Sequence, residues 1–153
     1  QVGVKLPSLY NHINGLPALR RELALHGLQQ LLDRLSRAAI GIAGDDAVIA
    51  LARAYRQYIL DNPGVYAATV RAPAPDDRAL IAVSEQIIAA TRAVLAHYAL
   101  SDDDVIHAIR ALRAIAHGFA TIELSGGFGI ALSRDASYDQ LLAAYVAGLK
   151  QRR

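Results

Sequence analysis

Apolar positions along the chain recur at intervals of three and four, not two. Between Asp76 and Ala99 the stripe is Leu80, Val83, Ile87, Thr91, Val94 and Tyr98, and Ile81, Ile88 and Leu95 widen it until little polar face remains. That spacing fits a helix, and the alternating β-branched runs of strands are absent. So wide an apolar face predicts a helix in the middle of the fold.

The same reading extends along the chain. A short helix is expected from Pro7 to His12, with Asn14-Gly15 as its stop. A long helix follows from Pro17 to Ile40, ended by Gly41 and Gly44. Asp45 or Asp46 caps the next, which carries Val48, Leu51, Tyr55, Tyr58 and Ile59 and breaks at Asn62-Pro63-Gly64. A short helix holds Tyr66 to Arg71. Asp76 is the expected cap of the apolar helix. Ser101, followed by three aspartates at the positive end of the dipole, opens a helix that reaches Leu124 and stops at Gly126-Gly127. Ser137 and Gln140 have capping-box spacing and open a last helix to Lys150. The fold class is all-α, and the 153 residues suit one domain or one domain and part of another.

Composition narrows the function classes. No cysteine is present, which removes disulfides and thiolate metal sites, and no uninterrupted apolar run reaches the roughly 18 residues of a membrane span. No signal-peptide pattern opens the chain. A cytoplasmic protein without a membrane role is expected. Net charge is only +2, weak evidence by itself for a nucleic-acid partner. The five histidines form neither a His-x-x-x-His nor a Glu-x-x-His pair. Ser125 stands beside glycines without the strand-to-helix context of a nucleophile elbow. Neither catalysis, a metal nor a cofactor is expected.

Two groups of residues stand out for binding. Tyr55, Tyr58 and Tyr66 flank one helix break, and Ser84 and Thr91 put hydroxyls on an apolar helix. Aromatic rings with polar tips suit the wall of a pocket, and they suit the edge of a core equally well. With His117 they mark a possible site inside the subunit, where scarce charge implies a small, apolar, uncharged ligand. The second group lies on the last two long helices. Val105, Ile109, Leu112, Ala116 and Phe119 form one apolar face, and Ala108, Ala111, Ile115, Gly118 and Ile122 form another. Two faces need two neighbours, which can be the domain's own core or a partner chain. The final helix shows Leu141, Leu142, Tyr145 and Leu149 as a stripe, with Ala144 and Gly148 one turn apart.

The N-terminal segment fits the second half of a helix-turn-helix, though an ordinary short surface helix would read the same way. In the motif, Lys5 and Ser8 would reach base edges, and Tyr10 and His12 would bond phosphates. From Val2 to Leu28 the chain resembles the end of the DNA-binding region of TetR-type transcriptional regulators, with a Gly-Val, a Leu-Tyr and then His12. A distant stretch, Ala114 to Gly129, resembles the WHG branch of TetR C-terminal domains: His117-Gly118, Glu123-Leu124 and Phe128-Gly129 match, with Ala116 in place of the tryptophan.

The resemblance implies a TetR-like ligand-binding domain over residues 17–153 and a helix-turn-helix remnant over residues 1–16, the chain beginning inside the DNA-binding domain. It implies a homodimer through a four-helix bundle, a double-stranded DNA operator, and a small apolar effector acting on what is expected to be a repressor. A helical carrier of lipids or other small molecules, without DNA binding, is the alternative.

Overall fold

The computed structural model describes residues 15–152. Lys5, Ser8, Tyr10 and His12 lie outside them. The described residues form helices α1 (Gly15–Ala38), α2 (Gly44–Asp61), α3 (Pro63–Thr69), α4 (Arg78–Leu95), α5 (Asp102–Leu124) and α6 (Arg134–Lys150), with a 3-10 turn Ala96–Tyr98 after α4. No strand occurs among them, in line with the all-α expectation.

The centre belongs to α2. It packs on each of the other five helices. Val48, Leu51, Ala52, Tyr58 and Ile59 are buried almost completely, and burial of one large side chain contributes about 1.5–3 kcal/mol. The expectation that the apolar helix near residue 80 lies in the middle is corrected. Only one face of α4 is buried, through Leu80, Val83, Thr91 and Leu95, while Ile88 is exposed. Its outer side carries Glu85, Gln86 and Arg92 between alanines, whose single methyl groups lose little by exposure, about 0.8 kcal/mol each. Arg78–Tyr98 is nevertheless long and apolar enough to cross a membrane by length and composition alone.

Helix ends follow local chemistry, with three shifts. Neither Asp45 nor Asp46 caps α2: Ala43 is its N-cap, without a side-chain bond, and both aspartates lie in the first turn, at the positive end of the dipole. Asp77, not Asp76, caps α4: its carboxylate accepts from Leu80 N at 3.2 Å. Ser133, not Ser137, caps α6 by accepting from Ala136 N, and Ser137 donates back to Ser133 O from the first turn. Both serines satisfy the rule for a cap, and the earlier one takes the N-terminal position. Ser101 caps α5 as expected. Gly126, at φ 70°, ends α5 in the left-handed region that favours glycine.

One close approach has no counterpart in the apolar pattern. A Cβ on Gly27 would lie 2.8 Å from the methyl groups of both Thr69 and Val65. Gly27 therefore lets α1 and α3 touch, and that contact brings α3 and its following loop over the middle of α1.

Candidate functional site

A cavity of about 420 Å³ opens between α1, α2, α4, α5 and the loop after α3. Leu28 and Leu31 of α1, Leu51 of α2, Ile87 of α4 and Ile109 of α5 give it an apolar wall. Tyr55, Thr69, Ser84 and Thr91 add polar atoms, and Arg71, Arg110 and Arg113 also line it. The volume falls within the range of small-molecule sites.

Of the six residues expected around one pocket, the structure brings Tyr55, Ser84 and Thr91 to this cavity. Tyr58, Tyr66 and His117 line no part of it. They fill the core beside it instead. Tyr58 Oη donates to Gly27 O at 2.8 Å, and its ring meets Tyr66 edge-on with centroids 6.5 Å apart. Tyr66 Oη and His117 Nδ1 are hydrogen-bonded at 3.1 Å. Tyr66 and His117 satisfy each other and Tyr58 is satisfied by α1, so none of the three presents a free polar tip to the cavity. The two hydroxyls of α4 are also occupied. Ser84 Oγ donates to Leu80 O and Thr91 Oγ1 to Ile87 O, one turn back on their own helix. Their burial required no cavity, although they face one.

Burial raises the pKa of Tyr55 and Tyr66, and Arg113 works against it at both phenols. Both stay neutral at ordinary pH and remain able to donate. The expectation of scarce charge is corrected here. Arg110 and Arg113 reach the cavity from α5, and Arg71 from the loop after α3. Their positions off the apolar stripes hid them from a search for pocket walls.

A second cluster explains the distant sequence match. Arg56 on α2 is buried and grips Glu123 at the end of α5 with two nitrogens, at 2.9 and 3.0 Å. Its third nitrogen donates to Asp135 at 2.7 Å. The guanidinium lies about 5 Å from the ring centroids of Phe119 and Tyr138. Phe128 stacks on Phe119 with centroids 4.7 Å apart, and Tyr138 Oη donates to Ala52 O. The Glu-Leu and Gly-Phe-Gly elements therefore clamp the α5–α6 connection onto α2. Arg56 is the residue that sequence reasoning missed; an arginine amid Val48, Tyr55 and Ile59 was the available signal.

The expected dimer residues divide into two sets. Ala111, Ile122, Leu141, Ala144 and Gly148 are exposed, with Ile122 at 46% and Leu141 at 39%. A Cβ on Gly118 or Gly148 would meet nothing within 4 Å in the subunit. Ile115 and Tyr145 instead turn inward and pack on the core, where Tyr145 Oη donates to Ala108 O at 2.8 Å.

Known proteins resemble this chain along its length. The family model described as Tetracyclin repressor-like, C-terminal domain matches residues 48–145. An uncharacterized HTH-type transcriptional regulator of Bacillus subtilis, YobS, is 41% identical over 123 residues, covering 80% of this chain and 63% of that protein, so the chain spans less than two thirds of it. An uncharacterized HTH-type transcriptional regulator of Mycobacterium tuberculosis, Rv0681, is 34% identical over 153 residues, covering 99% of this chain and 70% of that protein. A solved structure of a protein with unknown function from Rhodococcus sp. RHA1 shares the fold at a TM-score of 0.78 and 22% identity, over 97% of this chain and 80% of that one.

Proposed function

We infer, since this chain belongs to the TetR-type family of transcriptional regulators, that it is the effector-binding and dimerising part of a cytoplasmic DNA-binding repressor. The observation that carries this reading is the position of α1. That helix begins at Gly15, directly after the segment that resembles a recognition helix, and its Leu28 and Leu31 form a wall of the cavity. A molecule in the cavity touches the helix that leads to the DNA-reading residues.

In the proposed dimer, α5 and α6 pair with their two-fold mates as a four-helix bundle. The exposed residues Ala111, Ile122, Leu141, Ala144 and Gly148, with the half-buried Gly118, supply its surface. Lys5 and Ser8 read base edges, and Tyr10 and His12 hold phosphates. Two recognition helices must then meet major grooves about 34–36 Å apart. An effector acts only if it binds one arrangement of α1 better than the other; full reversal of a 1:99 equilibrium needs about a 10⁴-fold preference.

Nuclease protection with the complete gene product on the DNA upstream of its own gene tests the reading. The expected footprint has two halves related by a two-fold axis and separated by whole turns of the duplex. Binding with no sequence preference at moderate salt would favour the carrier alternative.

A further inference from the structure

The charges around the cavity are all of one sign. Arg71, Arg110 and Arg113 line it, and no aspartate or glutamate does. Most arginines elsewhere are matched, among them Arg21 with Asp77, Arg34 with Asp61, Arg53 with Asp139, Arg56 with Glu123 and Arg92 with Asp102. The cavity arginines show no carboxylate partner among the described residues. Arg113 donates to a backbone carbonyl, Val70 O at 2.9 Å, and its other neighbours are the phenols of Tyr55 and Tyr66, not an acid. That bond holds the guanidinium beside Tyr55 and Tyr66, whose phenols it influences. Arg71 and Arg110 are exposed at the cavity's edge.

We propose that the cavity binds an amphiphilic carboxylate: an apolar body between α1, α4 and α5, with a carboxylate on Arg71 and Arg110. The proposal rests on the cavity being the effector site and specifies what it takes. An uncharged apolar molecule would fill the space between Leu31, Ile87 and Ile109 equally well but would leave the guanidinium groups unused. A carboxylate accepts two parallel N–H bonds from one guanidinium, and charge-assisted bonds of that kind are about twice as strong as neutral ones. An organic cation would face three like charges with no acid to offset them. A molecule with several phosphates would match the charge but has too little apolar surface for these walls.

Calorimetric titration of the protein at pH 7 tests the proposal with two matched pairs, decanoate against decanol and 1-naphthoate against 1-naphthalenemethanol. At least one acid should bind tenfold or more tighter than its alcohol. Arg71→Gln with Arg110→Gln should reduce that acid to the level of its alcohol, and Arg71→Lys with Arg110→Lys should restore part of the preference. Both guanidinium groups are exposed, so the variants keep the core intact, and unchanged far-ultraviolet circular dichroism and melting temperature check this. Alcohols that bind as tightly as their acids would overturn the carboxylate assignment while leaving the cavity as the effector site. Acids that fail to bind, or that bind the glutamine variant unchanged, would overturn it as well. The effector role itself is read separately, from DNA affinity.

Discussion

Arg21 near the start of α1 holds Asp77, the N-cap of α4, with two nitrogens at 2.6 and 2.9 Å. The pair ties α1 to α4, two walls of the cavity. Hydrogen bonding to Arg21 holds the Asp77 carboxyl below its ordinary range, with the backbone N–H of Leu80 adding to it. A depressed carboxylate contributes stability above its unfolded pKa, near 4, and loses it as pH falls through the lower folded value. Urea unfolding of the wild type and Asp77→Asn should differ at pH 7, and the difference should shrink towards zero as pH drops below about 4. A difference independent of pH would mean that the carboxylate's charge is not what matters.

Gly27→Ala should destabilise the protein by about 1–3 kcal/mol. The new methyl would overlap side chains of Val65 and Thr69, two β-branched residues with little rotamer freedom, so α3 must move away from α1. Thr69 also lines the cavity, and ligand affinity should fall with stability. Chemical unfolding checks the first effect; an unchanged midpoint would show that α3 moves freely.

Arg56 and Glu123 should matter more together than apart. Their side chains are only 11% and 13% exposed, and removing Glu123 leaves Arg56 with the solvent-exposed Asp135 as its one acid. Glu123→Leu alone should cost about 3 kcal/mol, and adding Arg56→Met should recover most of it. A double variant as unstable as the sum of the two single ones would show that the ion pair contributes little and that packing of Arg56 on Phe119 and Tyr138 dominates.

Gly118→Leu and Gly148→Leu should leave the subunit folded, because a Cβ at either position meets nothing within 4 Å and the rest of the side chain can point outward. In the proposed bundle the same side chains would meet the partner's helices. Sedimentation should show monomer for either variant and dimer for the wild type. A wild-type monomer at micromolar concentration, or variants that dimerise normally, would remove α5 and α6 as the dimer face.

The positions of helices were legible because period and caps agree: Ser101, Asn62-Pro63 and Gly126 each act where the sequence places them. Which helix is central was not legible. Alanine reads as apolar yet tolerates water, so α4 looked more enclosed than it is, whereas α2 holds the middle despite carrying Arg53 and Arg56. The site was half legible. Tyr55, Ser84 and Thr91 reach the cavity, but a tyrosine pattern cannot tell a pocket wall from the Tyr58–Gly27 and Tyr66–His117 bonds that close a core. The cavity arginines come from a loop and a polar helix edge, and only folding places them together.

The most direct test asks whether filling the cavity is felt at the DNA. Ser84 is half-buried on the cavity wall, and this chain contains no tryptophan. Ser84→Trp would place an indole in the space, and the blue-shifted emission of that tryptophan, followed in this chain, reports its burial. With the indole buried, fluorescence anisotropy of the complete gene product on its footprinted operator should show at least a tenfold loss of affinity, with the dimer intact. Wild-type operator affinity with the indole buried in the cavity would contradict the account.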